Sequence, residues 1–116
     1  MKPREREMFE RKDYYSSLLS FYGELLPQVT YQRMVQFYLE DLSITEISQN
    51  QNVSRNAVFE SIKSGEVRLD EYEKMLKMKK QRDETLKRID EALSAKDKDE
   101  IQYLLNQWKG ELENGI

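Results

Sequence analysis

The chain has 116 residues, of which 35% are charged, and it contains only four glycines and two prolines. This composition favours a helical protein over a sheet protein or a disordered one. The absence of cysteine excludes disulfides and thiolate metal sites, and the absence of histidine removes the usual general base and the commonest metal ligand. With no glycine-rich phosphate loop and no metal-ligand spacing, we expect no catalytic residue, no metal, no cofactor and therefore no enzyme.

The sequence also bears on location and on the kind of partner. No stretch approaches the roughly 20 apolar residues of a membrane-spanning helix. The charged start, Met1-Lys2-Pro3-Arg4, is not followed by an apolar run, which is unlike a secretory signal, so we expect a cytoplasmic protein. The charge is uneven, because residues 74–82 carry five basic and no acidic side chains whereas residues 27–73 carry four basic and eight acidic ones.

The helical spacing of apolar residues predicts a single all-α domain over residues 1–116. N-terminal helices are expected over 4–40, a helix-turn-helix over 43–63, a long helix over 65–95 and a short final helix over 99–113. The aromatic residues of 14–15 and 21–22 are expected in the core. Gly65 allows two interpretations. It either separates the long helix from the preceding one or lies inside a continuous helix, where glycine costs about 1 kcal/mol relative to alanine.

The helix-turn-helix is predicted from capping and turn chemistry. Ser43-Ile44-Thr45-Glu46 has the pattern of a capping box, in which serine and glutamate side chains bind each other's backbone N–H groups. Asn52 tolerates the left-handed conformation of a tight turn, and Ser54 can cap the next helix. The apolar Val58 and Ile62 can then pack back onto the first helix of the motif.

These segments carry a resemblance to a known family. The signatures Glu40-Asp41-Leu42-Ser43 and Val53-Ser54-Arg55-Asn56-Ala57-Val58, followed by the segment 69–76, resemble the YlxM family over roughly residues 14–78. These are small bacterial helix-turn-helix proteins, encoded beside signal-recognition-particle genes, whose fold resembles region 4 of sigma factors. The resemblance implies an accessory or regulatory role in the signal-recognition-particle pathway, with the targeting GTPase or its RNA as partner. The alternative function is a DNA-binding transcription regulator of sigma-region-4 type.

The second helix of the motif supplies the candidate nucleic-acid contacts. If it enters a major groove, its N-terminal residues meet the base edges. The residues expected in that contact are Ser54, Arg55, Asn56 and Phe59, with Lys63 on a phosphate. Arginine can bind guanine, and asparagine adenine, through paired hydrogen bonds. The alternative is that Ser54 is only a cap and that Arg55 and Asn56 are ordinary solvated residues.

The charged residues around that helix point to a second candidate site. Glu60 and Glu66 lie on or beside the helix and oppose contact with DNA phosphates. The one basic cluster follows further along the chain and comprises Lys74, Lys77, Lys79, Lys80 and Arg82. It is a candidate for binding RNA phosphates or an acidic protein surface, and the alternative is a solvated helix face.

The apolar stripe between Val67 and Leu93 has three interpretations. It packs on the first helix, pairs with a second subunit, or receives a partner helix. About 30 residues at 1.5 Å each make a helix of roughly 45 Å, longer than the rest of the fold is wide, which favours a homodimer. Trp108 is expected to anchor the last helix.

Overall fold

The computed structural model describes residues 3–115, which form six α-helices and one 3₁₀ turn and contain no strand. The helices are α1 (Pro3–Tyr22), α2 (Gln28–Tyr38), α3 (Ile44–Gln51), α4 (Arg55–Leu76), α5 (Met78–Leu93) and α6 (Lys98–Glu113). The 3₁₀ turn, Gly23–Leu25, follows α1. The all-α fold is confirmed, and the outermost residues of the predicted 1–116 domain lie outside the described range.

The chain divides into two compact units, which meet in sequence between Lys79 and Lys80. The first unit contains α1 to α4, and the second contains α6 and all but the first residues of α5. The single-domain organisation expected from the sequence therefore stays a prediction.

The core of the first unit is built from all four of its helices. Its buried side chains are Tyr15, Leu18, Leu19, Tyr22, Leu26, Met34, Tyr38, Ile47, Val58, Ile62 and Leu69. Burying a large apolar side chain contributes about 1.5–3 kcal/mol, so this set accounts for most of the attraction between the helices. Of the aromatic residues expected inside, Tyr15 and Tyr22 are buried, whereas Tyr14 is 36% exposed.

Gly65 lies inside a continuous helix, which is the second of the two interpretations. A Cβ atom at this position would lie 2.8 Å from the Met34 Sδ and 2.9 Å from the Met34 Cγ. Met34 is fully buried on α2, so the missing side chain of Gly65 lets α2 and α4 approach closely. The glycine therefore serves helix packing and does not end the helix.

The prediction of one long helix over 65–95 is wrong, because the helix is interrupted at Lys77, between α4 and α5. This residue is left-handed, with φ of 55°, and its N–H donates to the Glu73 carbonyl at 2.9 Å. The next two N–H groups, of Met78 and Lys79, donate to the Tyr22 hydroxyl at 2.9 Å and to the Glu73 carboxylate at 3.0 Å. The Tyr22 and Glu73 side chains thus supply acceptors for N–H groups that have no carbonyl partner in the first turn of a helix.

The apolar stripe proposed from sequence is correspondingly interrupted. Val67 and Leu76 are 57% and 48% exposed, whereas Leu69 is fully buried. The buried face of α4 runs through Val58, Ile62 and Leu69, whereas no residue of α5 is buried. The spacing of apolar residues alone did not reveal which of them face the core.

The second unit is a helical hairpin of α5 and α6. Asp97 caps α6 by accepting a hydrogen bond from the Glu100 N–H at 2.8 Å. No side chain of either helix is buried, and Trp108 is only partly covered. Within the described range, none of the helices combines the length and the apolar character needed to cross a bilayer.

Candidate nucleic-acid interface

The first helix of the motif begins with the predicted capping box. The Glu46 N–H donates to the Ser43 Oγ at 3.0 Å, and the Ser43 N–H donates to the Glu46 Oε1 at 3.1 Å. Ile47 is fully buried one turn further on, and Ser48 beside it is 5% exposed. The small Ser48 side chain donates to the Thr45 carbonyl at 2.8 Å, which satisfies its hydroxyl inside the fold.

The turn of the motif also follows the prediction. Asn52 is left-handed, with φ of 54°, and its N–H donates to the Gln49 carbonyl at 3.3 Å. The Val53 N–H donates to the Ser48 carbonyl at 3.0 Å, and the Val53 side chain packs against the core. Ser54 then caps α4 by accepting from the Ala57 N–H at 3.0 Å. The turn is thus fixed by contacts within six residues of sequence.

The N-terminal end of α4 carries the five predicted contact residues at the surface. Ser54, Arg55, Asn56, Phe59 and Lys63 are all exposed, and Phe59 is exposed to 44%. The Lys63 Nζ lies 5.8 Å from the centre of the Phe59 ring, within reach of a cation–π interaction. An exposed aromatic ring beside an ammonium group offers both a stacking surface and a phosphate partner, as nucleic-acid contacts require.

Arg33 on α2 connects the two helices of the motif, although no pattern in the sequence predicts it. Its Nε donates to the Gln51 Oε1 at 2.8 Å, at the last residue of α3. Its Nη1 donates to the Ser61 Oγ at 2.7 Å and to the Ala57 carbonyl at 3.5 Å, both on α4. The guanidinium is half-buried and bridges three helices. No local pattern signals these contacts, because the partners lie 18 to 28 residues away.

Glu66 does not face the candidate interface. Its side chain is 7% exposed and lies 2.7 Å from the Arg11 guanidinium of α1. It also accepts a short hydrogen bond from the Tyr38 hydroxyl. The expectation that Glu66 opposes DNA contact is therefore wrong, because its charge is turned inward and is paired with Arg11. Glu60 is exposed, and the role expected for it stays a prediction.

Two further carboxylates on the same face of α4 bind tyrosines of α1. The Tyr15 hydroxyl donates to Asp70 at 2.9 Å, and the Tyr22 hydroxyl donates to Glu73 at 2.7 Å. The pKa of both tyrosines is raised, mainly by burial and secondly by the hydrogen bond to the carboxylate. With Glu66, these form a carboxylate row on α4 at positions 66, 70 and 73, a spacing that places three side chains on one helix face. That spacing was the available sequence signal.

The basic cluster is divided between the two units. Lys74 and Lys77 are exposed at the end of α4, whereas Lys79 is half-buried with its Nζ 5.6 Å from the Tyr14 ring centre. Lys80 and Arg82 belong to the second unit, where Arg82 pairs with Asp83 at 3.1 Å. The first unit therefore presents two fully exposed lysines of the predicted five.

The second unit has a cleft of about 330 Å³ between its helices. Its apolar lining includes Ala92, Leu104 and Trp108, and its charged lining includes Arg88 and Glu111, which form an ion pair. Leu105, which also lines the cleft, is exposed, and so are large apolar side chains outside it, among them Leu86, Ile89, Leu93, Ile101, Tyr103 and Leu112. Across the residues described, no group of three or more acidic side chains is placed to hold a metal ion.

Comparison with known proteins agrees with this geometry. The family model UPF0122, described as "Putative helix-turn-helix protein, YlxM / p13 like", matches residues 9–107. A UPF0122 protein of Malacoplasma penetrans is 44% identical over 62 residues, which are 53% of this chain and 58% of the relative. A UPF0122 protein of Bacillus cereus is 42% identical over 69 residues, which are 60% of this chain and 63% of the relative. The chain thus matches about three fifths of the length of these relatives. The family match extends beyond the resemblance noted at 14–78 and includes most of α6.

Proposed function

Because the chain belongs to the family of YlxM/p13-like helix-turn-helix proteins, we propose that it is a cytoplasmic, non-enzymatic binding protein of the bacterial signal-recognition-particle pathway. Its role there is accessory or regulatory, and it acts by contacting the targeting GTPase or the particle RNA. Family membership and the resemblance of the signature segments support the pathway. The exposed residues at the N-terminal end of α4 support a nucleic acid as the partner.

The exposure of five residues at one helix end carries the proposal of nucleic-acid binding. Arg55 and Asn56 follow the Ser54 cap directly, so their side chains leave the first turn of α4, the part of such a helix that reaches bases. Phe59 and Lys63 follow at one-turn intervals, which suits stacking and a phosphate contact. The inward pairing of Glu66 with Arg11 removes one negative charge from this surface.

The basic cluster gives this proposal its second contact. Lys74, in the last turn of α4, and Lys77, directly after its end, are exposed and available to RNA phosphates or to an acidic surface of the GTPase. If all five residues of the cluster contribute, changing Lys74, Lys77, Lys79, Lys80 and Arg82 to glutamine should abolish a gel shift with the particle RNA. An unchanged shift would remove the cluster from the proposal.

DNA binding by a transcription regulator of sigma-region-4 type is the second candidate. The observation that favours it is the complete helix-turn-helix. A three-residue turn, 52–54, joins its helices, and the first two residues of α4 are exposed. Arginine and asparagine there are the side chains that distinguish guanine and adenine in the major groove. The acidic Glu60 beside them opposes the approach of DNA phosphates.

We also propose that the chain is a homodimer. The observation behind this proposal is the second unit, whose two helices bury no side chain while exposing a row of large apolar ones. A two-helix hairpin has too little interior to cover such residues, whereas pairing two hairpins supplies a four-helix core. Analytical ultracentrifugation at tens of micromolar should give twice the monomer mass of 14.0 kDa. A monomer mass under those conditions would refute it.

A pull-down with the tagged full-length chain discriminates among the partners. Recovery of the targeting GTPase that survives RNase and DNase supports a protein contact, and RNase-sensitive recovery of the particle RNA supports an RNA contact. Defined promoter fragments that are lost with DNase support the second candidate. Recovery of none of these contradicts both.

A matched pair of variants links any recovery to the motif. Arg55→Ala and Arg68→Ala each remove one exposed cation from α4, but only Arg55 lies at its N-terminal end. We expect Arg55→Ala to reduce nucleic-acid recovery and Arg68→Ala to leave it unchanged. Equal losses would indicate a contribution of net charge alone.

A further inference from the structure

We infer that Arg33 is the positioning residue that sets the angle between α3 and α4, and so aims the contact end of α4. The inference rests on the proposed nucleic-acid binding and adds a residue of α2 to it. Arg33 itself lies on neither helix of the motif, and its guanidinium is half-buried. Its place in the mechanism is therefore to act through α3 and α4.

The contacts of Arg33 fall on the two sides of the turn. The Gln51 Oε1, 2.8 Å from the Arg33 Nε, belongs to the last residue of α3. The Ser61 Oγ, 2.7 Å from the Arg33 Nη1, lies in the second turn of α4. One rigid planar group thus holds the end of one helix and the beginning of the other, with the turn residues 52–54 between them.

A second hydrogen bond fixes the same glutamine. The Gln51 Nε2 donates to the Gln36 Oε1 of α2 at 3.0 Å, so both polar atoms of Gln51 are engaged by α2. Gln36 and Arg33 are one helical turn apart, which makes α2 the common base for both bonds. The apolar contacts of Val58 and Ile62 pull α4 against the core, but they are not directional. The directional contacts at the N-terminal end of α4 come from this polar group, whereas the carboxylate row holds the later turns of the helix.

The geometry explains why arginine is needed at this position. Its planar guanidinium has donors in fixed directions, so it can reach an acceptor on α3 and another on α4 together. Lysine retains the charge but has a single ammonium group on a flexible stem. Arg33→Lys therefore distinguishes positioning from direct phosphate attraction, because positioning needs the shape of the guanidinium and phosphate attraction needs only its charge.

The test uses the full-length chain and compares Arg33→Met, Arg33→Lys and Ser61→Ala with the wild type. Tyr38→Phe is the matched control, since it removes a hydrogen bond to α4 far from the contact end. Amide hydrogen exchange without any ligand is measured first. We expect exchange over residues 50–58 to become about tenfold faster in all three test variants, the factor that loss of one charge-assisted hydrogen bond predicts. Tyr38→Phe should leave those amides unchanged.

Binding is then measured by fluorescence anisotropy with two labelled probes, the particle RNA and a mixed-sequence DNA duplex. On the probe that the wild type binds, Arg33→Lys and Arg33→Met should both bind about tenfold more weakly. Wild-type affinity in Arg33→Lys would show a charge effect and overturn the inference. Unchanged amide exchange over residues 50–58 would overturn the inference as well. If the Arg33 variants do not fold, the exchange rates of Ser61→Ala over the same residues decide the question. If the wild type binds neither probe, the proposed function fails while the exchange result still decides the role of Arg33.

Discussion

The buried carboxylate of Glu66 gives a quantitative test of how α4 is held. The Glu66 side chain is 7% exposed, whereas that of its partner Arg11 is 54% exposed. Removing the guanidinium leaves a carboxylate that water reaches poorly, with Tyr38 as its remaining donor. Removing the carboxylate leaves a guanidinium that can turn to solvent. This asymmetry predicts that Arg11→Met is the more destabilising change.

The exposures set the magnitude. Breaking a fully buried ion pair costs about 3–5 kcal/mol, and an exposed pair contributes about 0–1 kcal/mol. With one partner buried and the other half exposed, we expect Arg11→Met to lower the free energy of unfolding by about 2 kcal/mol. Glu66→Gln keeps an oxygen that can accept from Tyr38, so we expect a loss of about 1 kcal/mol. Once the charge at Glu66 is gone, adding Arg11→Met should cost less than about 0.5 kcal/mol.

Urea unfolding followed by far-ultraviolet circular dichroism measures the free energy of unfolding of the wild type, the two single variants and the double variant. The four values form a double-mutant cycle. Lys12→Met is the matched control, because Lys12 neighbours Arg11 and pairs with the exposed Asp41 at 2.8 Å. We expect that control to change the free energy of unfolding by less than about 0.5 kcal/mol. If Arg11→Met costs as much in the Glu66→Gln background as alone, the two side chains are not coupled and the reasoning is refuted.

Three further predictions concern the first unit and the last helix. The raised pKa of Tyr15 means that the folded state holds the phenolic proton more tightly, so the free energy of unfolding should fall as the pH rises above about 10. In urea unfolding repeated at several pH values, the free energy of unfolding of Tyr15→Phe should fall less steeply with pH than that of the wild type. Equal slopes in the two proteins would contradict this linkage between Tyr15 ionisation and folding. Gly65→Ala should lower stability by about 1 kcal/mol, because crowding against Met34 outweighs the gain in helix propensity. Gly110→Ala, where a Cβ meets nothing within 4 Å, should instead raise it by about 1 kcal/mol, and a gain in both would disprove the crowding. Ser43→Ala should lower the unfolding free energy by about 1 kcal/mol through loss of the capping box, and an unchanged thermal midpoint would show that the cap contributes nothing.

The helix-turn-helix was predictable because its determinants are local. Ser43 binds the backbone three residues ahead, Ser54 does the same, and Asn52 needs only its own left-handed conformation. Such interactions depend on residue types at fixed short spacing. The sequence therefore indicates them without knowledge of the tertiary fold.

The remaining features depend on partners far away in the chain. The helix break at Lys77 carries no glycine or proline, and an acceptor for the following N–H groups comes from Tyr22, 56 residues before Met78. The burial of Glu66 depends on Arg11 and Tyr38, so its charge was assigned to the wrong surface. Arg33 was missed for the same reason. The site residues at the start of α4 stay predictions, since exposure alone does not identify a ligand.

The carboxylate row of α4 has a consequence for how the first unit folds. Its hydrogen bonds and ion pair join residues that are 51 to 55 positions apart, from Arg11, Tyr15 and Tyr22 to Glu66, Asp70 and Glu73. Contacts of such long sequence separation raise the contact order, which slows folding relative to a bundle held by local contacts. During synthesis α1 leaves the ribosome first, but its tyrosines can form these hydrogen bonds only after the end of α4 has also emerged. A fragment that starts after α1 should therefore not form a stable helix-turn-helix, because α4 would lose the partners of its three carboxylates.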